Sequence, residues 1–347
     1  MVICSFLEGK RENALLNKAA EMGLETAELR TSNPYNPRVL QEFFALVQNK
    51  KPDLIVAHGY RSFIICMLTR PFHRKPVIAY SRGYTEENAR IRLFERIHRR
   101  LLSQCDLVLA VAEGHRQVLI NGGVPGEKIK VVYNAISLGT PTNGGSTEGK
   151  RLCEELKKSG AKVVVTAGRL SPEKGHRFLI EAISRLNGKI PDTYFLFCGD
   201  GPLREKLEKQ ADQLRVLHRC FFMGFRQDLA QIFSQMDFLV LPSLTEGLPN
   251  VVLEAFAQSK TVVATAVGGV PEIVEDGING FLVPPESPEA LANAIKKLVQ
   301  SPDLRSRLGS AGREKVKRKF SVYQQQESMK RMYEKLLSQK RQAVGYV

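Results

Sequence analysis

The amino-acid sequence predicts an α/β fold of two successive doubly wound halves that face a cleft. Three observations lead there. Short apolar runs alternate with helix-period patterns from the first residue onward, as the strands and crossover helices of a parallel sheet do. The alternation stops near residue 137 and resumes after residue 150. The length of 347 residues suits two domains at roughly 150 residues each.

The first half carries strand-like runs at 2–6, 27–30, 54–57, 77–80, 107–111 and 130–133. Helical patterns fall at 11–22, 37–49, 61–69, 86–103 and 113–122. The stretch LGTPTNGGSTEG at 138–149 is rich in turn formers and lacks apolar periodicity, as a linker does. Strand-like runs then recur at 162–166, 193–198, 219–223, 238–242, 261–265 and 280–283, and the last patterns are helical, at 288–299, 302–319 and 321–340. The expected division is a first domain over 1–136, a linker over 137–150 and a second domain over 151–320. A C-terminal helix over 321–347 is expected to pack back on the first domain.

Composition narrows the function classes. Hydrophobic residues make up 43% and charged residues 25%, which excludes disordered and fibrous chains. The longest apolar runs, such as 63–68, are far short of the roughly 18 residues that span a bilayer. None of the six cysteines stands in a CxxC pair, so reduced thiols are expected rather than a disulfide framework. The net charge of +15 is uneven. Residues 1–150 carry 21 basic against 14 acidic side chains, residues 151–300 carry 18 of each, and residues 301–347 carry 12 against 4. Basic surface of this kind attracts phosphate, in a ligand, a nucleic acid or an anionic lipid. Nucleic acid is not expected, because aromatic residues are only 7%, Trp is absent and no stacking platform or helix-turn-helix is visible.

In doubly wound sheets, ligands bind beyond the carboxyl ends of the strands, and four motifs sit there in the second half. GRLSPEKG at 168–175 follows the 162–166 strand and opens a helix. Gly168 lets the backbone approach a ligand, and Arg169 and Lys174 add two cations beside a helix start that already favours anions. Gly199, Asp200 and Gly201 form a GDGP loop after the 193–198 strand, which reads equally as a plain turn. EGLPNVVLE at 246–254 holds Glu246 in a loop, Gly247, Leu248, Pro249 and Asn250 at a helix start, and Glu254 inside the helix. Carboxylates eight residues apart can serve separate parts of one extended ligand, and they accept hydrogen bonds from sugar hydroxyls. GGVPE at 268–272 follows the 261–265 strand.

This order of motifs resembles the nucleotide-sugar-binding half of family 4 glycosyltransferases, enzymes of the GT-B fold with two Rossmann-like domains. PDLIVAHG at 52–59, DLVLAVA at 106–112 and VVYNAI at 131–136 carry the resemblance into the first half. It implies a retaining transfer of a sugar from a nucleotide diphosphate donor, a UDP-hexose or UDP-N-acetylhexosamine, without a metal or other cofactor. Arg169 and Lys174 match the cations that neutralise the leaving diphosphate. Glu246 matches the residue near the donor-sugar hydroxyls, with the backbone of Gly247 and Leu248 beside it. Glu254 matches the residue that holds the ribose, and Arg226 falls in the stretch near the base. The implied acceptor is a glycan or lipid-linked sugar of cell-surface polysaccharide or lipopolysaccharide synthesis.

Two departures follow from the resemblance. Met1 aligns with the family's second strand, so a first strand, glycine-rich loop and helix of about 25–30 residues have no counterpart. An exposed sheet edge and an impaired acceptor side are the expectation. Arg82 stands where many members carry His, and His58 follows a neighbouring strand; both are acceptor-side candidates. The helix over 86–103 sets Leu93, Ile97 and Leu101 against Arg92, Arg96, Arg99 and Arg100, a pattern suited to an anionic membrane. The expected location is cytoplasmic, peripheral on the inner face of the membrane. The rival readings are a nucleotide-sugar-binding protein without transferase activity and a sugar-nucleotide epimerase. The first binds donor without transfer; the second converts donor with no acceptor present.

Overall fold

A computed structural model describes residues 1–6, 13–30, 36–82, 98, 100–138 and 147–344. The strands are β1 (Val2–Phe6), β2 (Glu25–Leu29), β3 (Ile55–His58), β4 (Val77–Ser81), β5 (Leu107–Ala110) and β6 (Ile129–Val131) in the first half. In the second they are β7 (Lys162–Ala167), β8 (Thr193–Cys198), β9 (Cys220–Gly224), β10 (Phe238–Leu241), β11 (Thr261–Thr265) and β12 (Gly280–Val283). Each strand-like run of the sequence is a strand, within about two residues at its ends. All pairings between these strands are parallel. Parallel sheets lie between helical layers, so their strands are buried on both faces; every residue of β4, β5, β10 and β11 is buried.

The second sheet has the order β12-β11-β10-β7-β8-β9. The chain winds one way from β7 to β9, then returns to β10 on the other side of β7. That reversal opens a crevice at the carboxyl ends of β7 and β10. The loops leaving those two strands are the GRLSPEKG and EGLPN segments.

The first half holds the four-stranded sheet β3-β4-β5-β6 and, separately, the β1–β2 pair. Phe6, Leu29 and Ile55 share one apolar cluster, although among the described residues β1 pairs only with β2 and β3 only with β4. The loops at the carboxyl ends of β3, β4 and β6 bring His58, Arg82 and Asn134 toward the crevice.

The C-terminal helix Val322–Val344 lies against the first half. Its Gln325 amide donates to the Tyr133 carbonyl (2.7 Å), and Lys340 pairs with the deeply buried carboxylate of Asp106 (2.7 Å). Helix Glu148–Lys158 starts inside the stretch read as linker, because the Thr147 hydroxyl caps it by accepting from the Lys150 amide. Gly149 there packs against Ile232, where a side chain would collide at 2.7 Å. Most of the basic 86–103 helix lies outside the described residues. The cysteines are free; five are buried and Cys4 is exposed. Burial pushes the Cys66, Cys105, Cys198 and Cys220 thiols up to about 12, so all four stay protonated at neutral pH.

Candidate functional site

A cavity of about 620 Å³ opens between the halves, at the carboxyl ends of both sheets. Its second-half wall is Gly168, Arg169 and Lys174 from the loop after β7, and Glu246 through Val251 from the loop after β10. Opposite stand His58, Tyr80, Arg82 and Asn134, with Gln325 and Met329 of the C-terminal helix closing one side.

The charged centre of the second-half wall is tightly arranged. The Lys174 ammonium pairs with the Glu246 carboxylate at 2.7 Å, and the buried Ser243 hydroxyl donates to the same Glu246 oxygen at 2.7 Å. Lys174 reaches this point because Gly175 turns the chain with φ +63° against the Pro242 carbonyl, only 2.1 Å from where a Cβ would stand. Helix Asn250–Ala257 begins at the cavity, with Pro249 as its N-cap. Its first N–H groups and its dipole face the cavity and favour hydroxyl or phosphate oxygens. This wall therefore offers two cations, a carboxylate and a helix start to one extended anionic ligand.

Glu254 lies one turn into that helix, half-buried and outside the cavity lining. Burial raises its carboxyl above the usual carboxylate range. A half-buried carboxyl is an acceptor for hydroxyl groups that reach it.

The opposite wall is an aromatic and cationic stack. The rings of His58 and Tyr80 stack at 5.1 Å, and the Arg82 guanidinium lies 5.5 Å from the Tyr80 ring centre. His58 is exposed at the mouth, yet loss of water along the wall, followed by the Arg82 charge, lowers its pKa. It is a neutral imidazole at pH 7.

The remaining predicted residues are placed differently. Gly199 and Gly201 do not line the cavity; they support the loop that does. A Cβ at Gly199 would stand 1.9 Å from the Gly168 carbonyl, and one at Gly201 2.5 Å from the Leu170 carbonyl. The Asp200 carbonyl accepts from the Leu170 amide at 2.9 Å. Arg226 also lies outside the lining, held by Asp228 (2.8 Å) and Glu148 (2.9 Å). Its hydrogen bonds to Asp228 first, and then to Glu148, raise its pKa further, and it ties the loop after β9 to the start of helix Glu148–Lys158.

Sequence reasoning missed several residues. Asn134 donates to the Leu248 carbonyl at 3.0 Å and so ties the EGLPN loop to the first half. Glu272, the last residue of GGVPE, accepts from the amides of Glu113 (2.9 Å) and Gly114 (2.9 Å) at the start of helix Glu113–Asn121. It also takes a hydrogen bond from Tyr133. The motif supplied the signal for Glu272, whereas Gln325 and Met329 reach the cavity only through the packing of a distant helix.

Comparisons with known proteins agree with this layout. Residues 152–315 match the family described as glycosyl transferases group 1, and residues 1–139 match that described as glycosyltransferase family 4. A lipopolysaccharide core biosynthesis glycosyltransferase of Rhizobium meliloti, LpsE, is 38% identical over 161 residues, covering 46% of this chain and 46% of that protein. The D-inositol 3-phosphate glycosyltransferase of Corynebacterium glutamicum is 30% identical over 281 residues, covering 74% of this chain and 66% of that protein. The chain thus spans less than two thirds of the length of these relatives. Among solved structures, Anabaena HepE in complex with UDP superposes with a TM-score of 0.82 at 22% identity, covering 96% of this chain and 92% of that one. The two halves of the chain, each a Rossmann-like domain on one side of the cleft, each match a glycosyltransferase family, residues 1–139 one and residues 152–315 the other, in the GT-B fold that the Anabaena structure shares.

Proposed function

We propose that the protein transfers a hexose or N-acetylhexosamine from a UDP-sugar to a glycan or glycolipid acceptor, with retention at the anomeric carbon. The observation that supports this best is the second-half wall, where Arg169, Lys174 and the start of helix Asn250–Ala257 converge beside Glu246. A diphosphate needs such a set of cations and N–H groups. HepE, of the same fold, is described in complex with UDP, and the R. meliloti relative acts in lipopolysaccharide core synthesis; both fit this donor and pathway.

In the proposed reaction the bond between the anomeric carbon and the donor phosphate oxygen breaks. Its electron pair leaves on the diphosphate, where Arg169 and Lys174 stabilise the developing charge. The acceptor hydroxyl attacks the same face and passes its proton to the departing phosphate oxygen. Glu246 holds the sugar hydroxyls, and Glu254 the ribose. The Lys174–Glu246 pair opens so that the ammonium turns to phosphate and the carboxylate to sugar. The two protein cations supply the neutralisation that a divalent ion supplies elsewhere, so we propose a metal-independent reaction. His58 and Arg82 face the acceptor. Among the described residues no helix is long and apolar enough to cross a membrane. We place the enzyme on the inner face of the membrane, held by the basic 86–103 segment.

Calorimetric titration of UDP, GDP and ADP into the wild type and Glu254→Ala, in EDTA, tests the reading. UDP should bind selectively, and the variant should bind it about 10- to 100-fold more weakly, the cost of a hydrogen-bonded carboxylate. A folded wild type that binds none of the three would sink it.

A further inference from the structure

A second, smaller cavity of about 230 Å³ adjoins the main one, and Asn134, Ala135 and Gln325 stand in the walls of both. Its far end is lined by Arg318 and Lys319, with Ser321, Gln324 and Ser328 around them. No carboxylate lines it. Phe320 stands among these residues; every polar side chain at that end can donate a hydrogen bond, and two carry positive charge.

Helix Pro302–Lys319 ends here, and cations at a helix C-terminus are favoured by its dipole. The dipole does not explain why these two face a recess. Both side chains are exposed to solvent where they line the recess, and aromatic contacts fix the position of Lys319. The Lys319 ammonium lies 4.5 Å from the centre of the Tyr133 ring and 5.6 Å from that of Phe320. Those rings meet edge to face at 5.2 Å. The platform is fixed further by the Gln325 amide on the Tyr133 carbonyl. Of the nearby carboxylates, Glu275 pairs with Lys315 (2.6 Å) and also feels the charges of Arg318 and Lys319, while Glu272 accepts from the amides of Glu113 and Gly114. Among the described residues neither Arg318 nor Lys319 has an ion pair.

The volume sets the kind of guest. Pockets for whole small molecules run from about 300 Å³ upward, and a water fills about 30 Å³. The side recess therefore suits one compact anionic group with a few waters, a phosphate above all, rather than a second sugar-nucleotide. Because it opens on the acceptor side of the main cavity, its guest belongs to the molecule whose hydroxyl lies there.

We infer that the acceptor carries a phosphate ester, and that Arg318 and Lys319 bind that phosphate in the side recess while the acceptor hydroxyl faces the donor. This rests on the proposed transfer reaction and names its acceptor class. The phosphate can belong to a soluble sugar phosphate or to a lipid-linked one, and the test separates these sources.

Protein saturated with UDP, which occupies the donor diphosphate site, is titrated with a hexose 1-phosphate by calorimetry. In parallel it is cosedimented with phosphatidylcholine vesicles with and without phosphatidic acid. The Arg318→Gln, Lys319→Gln double variant should lose about tenfold or more of its affinity for one of these phosphates and keep its affinity for UDP. A double variant of equal charge loss on helix Arg204–Gln213, Lys206→Gln with Lys209→Gln, should keep both. Loss in the soluble arm identifies a sugar phosphate acceptor, and loss in the vesicle arm a lipid-linked one. Wild type that binds UDP but neither phosphate, or a recess variant that binds both as well as wild type does, overturns the inference and leaves the donor reading standing. Wild type that does not bind UDP overturns both.

Discussion

Glu254 shows how the partial burial of one carboxyl bears on stability. Its carboxyl is half-buried, and burial alone raises its pKa. A raised carboxyl pKa means that the folded state holds the proton more tightly than the unfolded chain does. The folded protein is therefore penalised above that raised value, and the penalty fades as pH falls toward the ordinary carboxylate range. Glu254→Gln keeps the shape and removes the charge. The unliganded variant should melt at or above the wild-type temperature at pH 7, and any gain should shrink as pH falls from the raised value into the ordinary carboxylate range. Its affinity for UDP should nevertheless fall. A variant that melts lower at pH 7 and gains nothing from acid would show that the carboxylate is satisfied within the protein. Most of this was legible beforehand, since the carboxylate spacing, the two cations and the helix start all stand within short motifs. The Lys174–Glu246 pair was not, because the two residues come together only when β7 and β10 become neighbours.

At the scale of elements, the site is a set of loops stacked on one another through glycines. Gly268, at φ +53°, sits where a Cβ would lie 1.8 Å from the Glu246 carbonyl, and the Gly269 amide donates to the Gly247 carbonyl at 2.8 Å. The loop after β11 thus presses the Glu246 loop into place. Gly199 does the same for the loop after β7. The GDGP motif was legible as a loop at a strand end, yet its work is support rather than contact with the cavity. That difference follows from tertiary packing, which a motif does not encode. Gly268→Ala must both strain the backbone and move the Glu246 carbonyl. It should cost about 1–3 kcal/mol, lowering the melting temperature by several degrees, and weaken binding of the intact sugar-nucleotide more than that of UDP. Equal losses for both would mean that the loop supports the fold without shaping the sugar subsite.

For the whole molecule, the cleft works only if the halves are held in register. The halves share an apolar cluster that includes Val111 and Ala112 from one side and Leu248 and Val270 from the other, and polar contacts across the cleft include Asn134 with the Leu248 carbonyl and Glu272 at the start of helix Glu113–Asn121. Neighbouring Ala112, the N-cap residue, provides no side-chain cap for that helix, so a carboxylate from the other half satisfies its first amides. Capping of this kind contributes about 0.5–2 kcal/mol, and the negative charge suits the helix dipole. Here that energy favours the state in which the halves touch. In the proposed transfer, where a closed cleft keeps water from the donor, the contact also bears on the balance between transfer and hydrolysis. Glu272→Ala should speed amide hydrogen exchange at Glu113 and Gly114 by up to about 30-fold, the upper end of a lost cap. It should also raise donor hydrolysis relative to transfer, while UDP affinity stays near the wild-type value, since Glu272 does not line the main cavity. Exchange at those two amides unchanged from wild type would mean that Glu272 is not what holds the halves together. Faster exchange with an unaltered hydrolysis share would confine its role to the stability of that one helix.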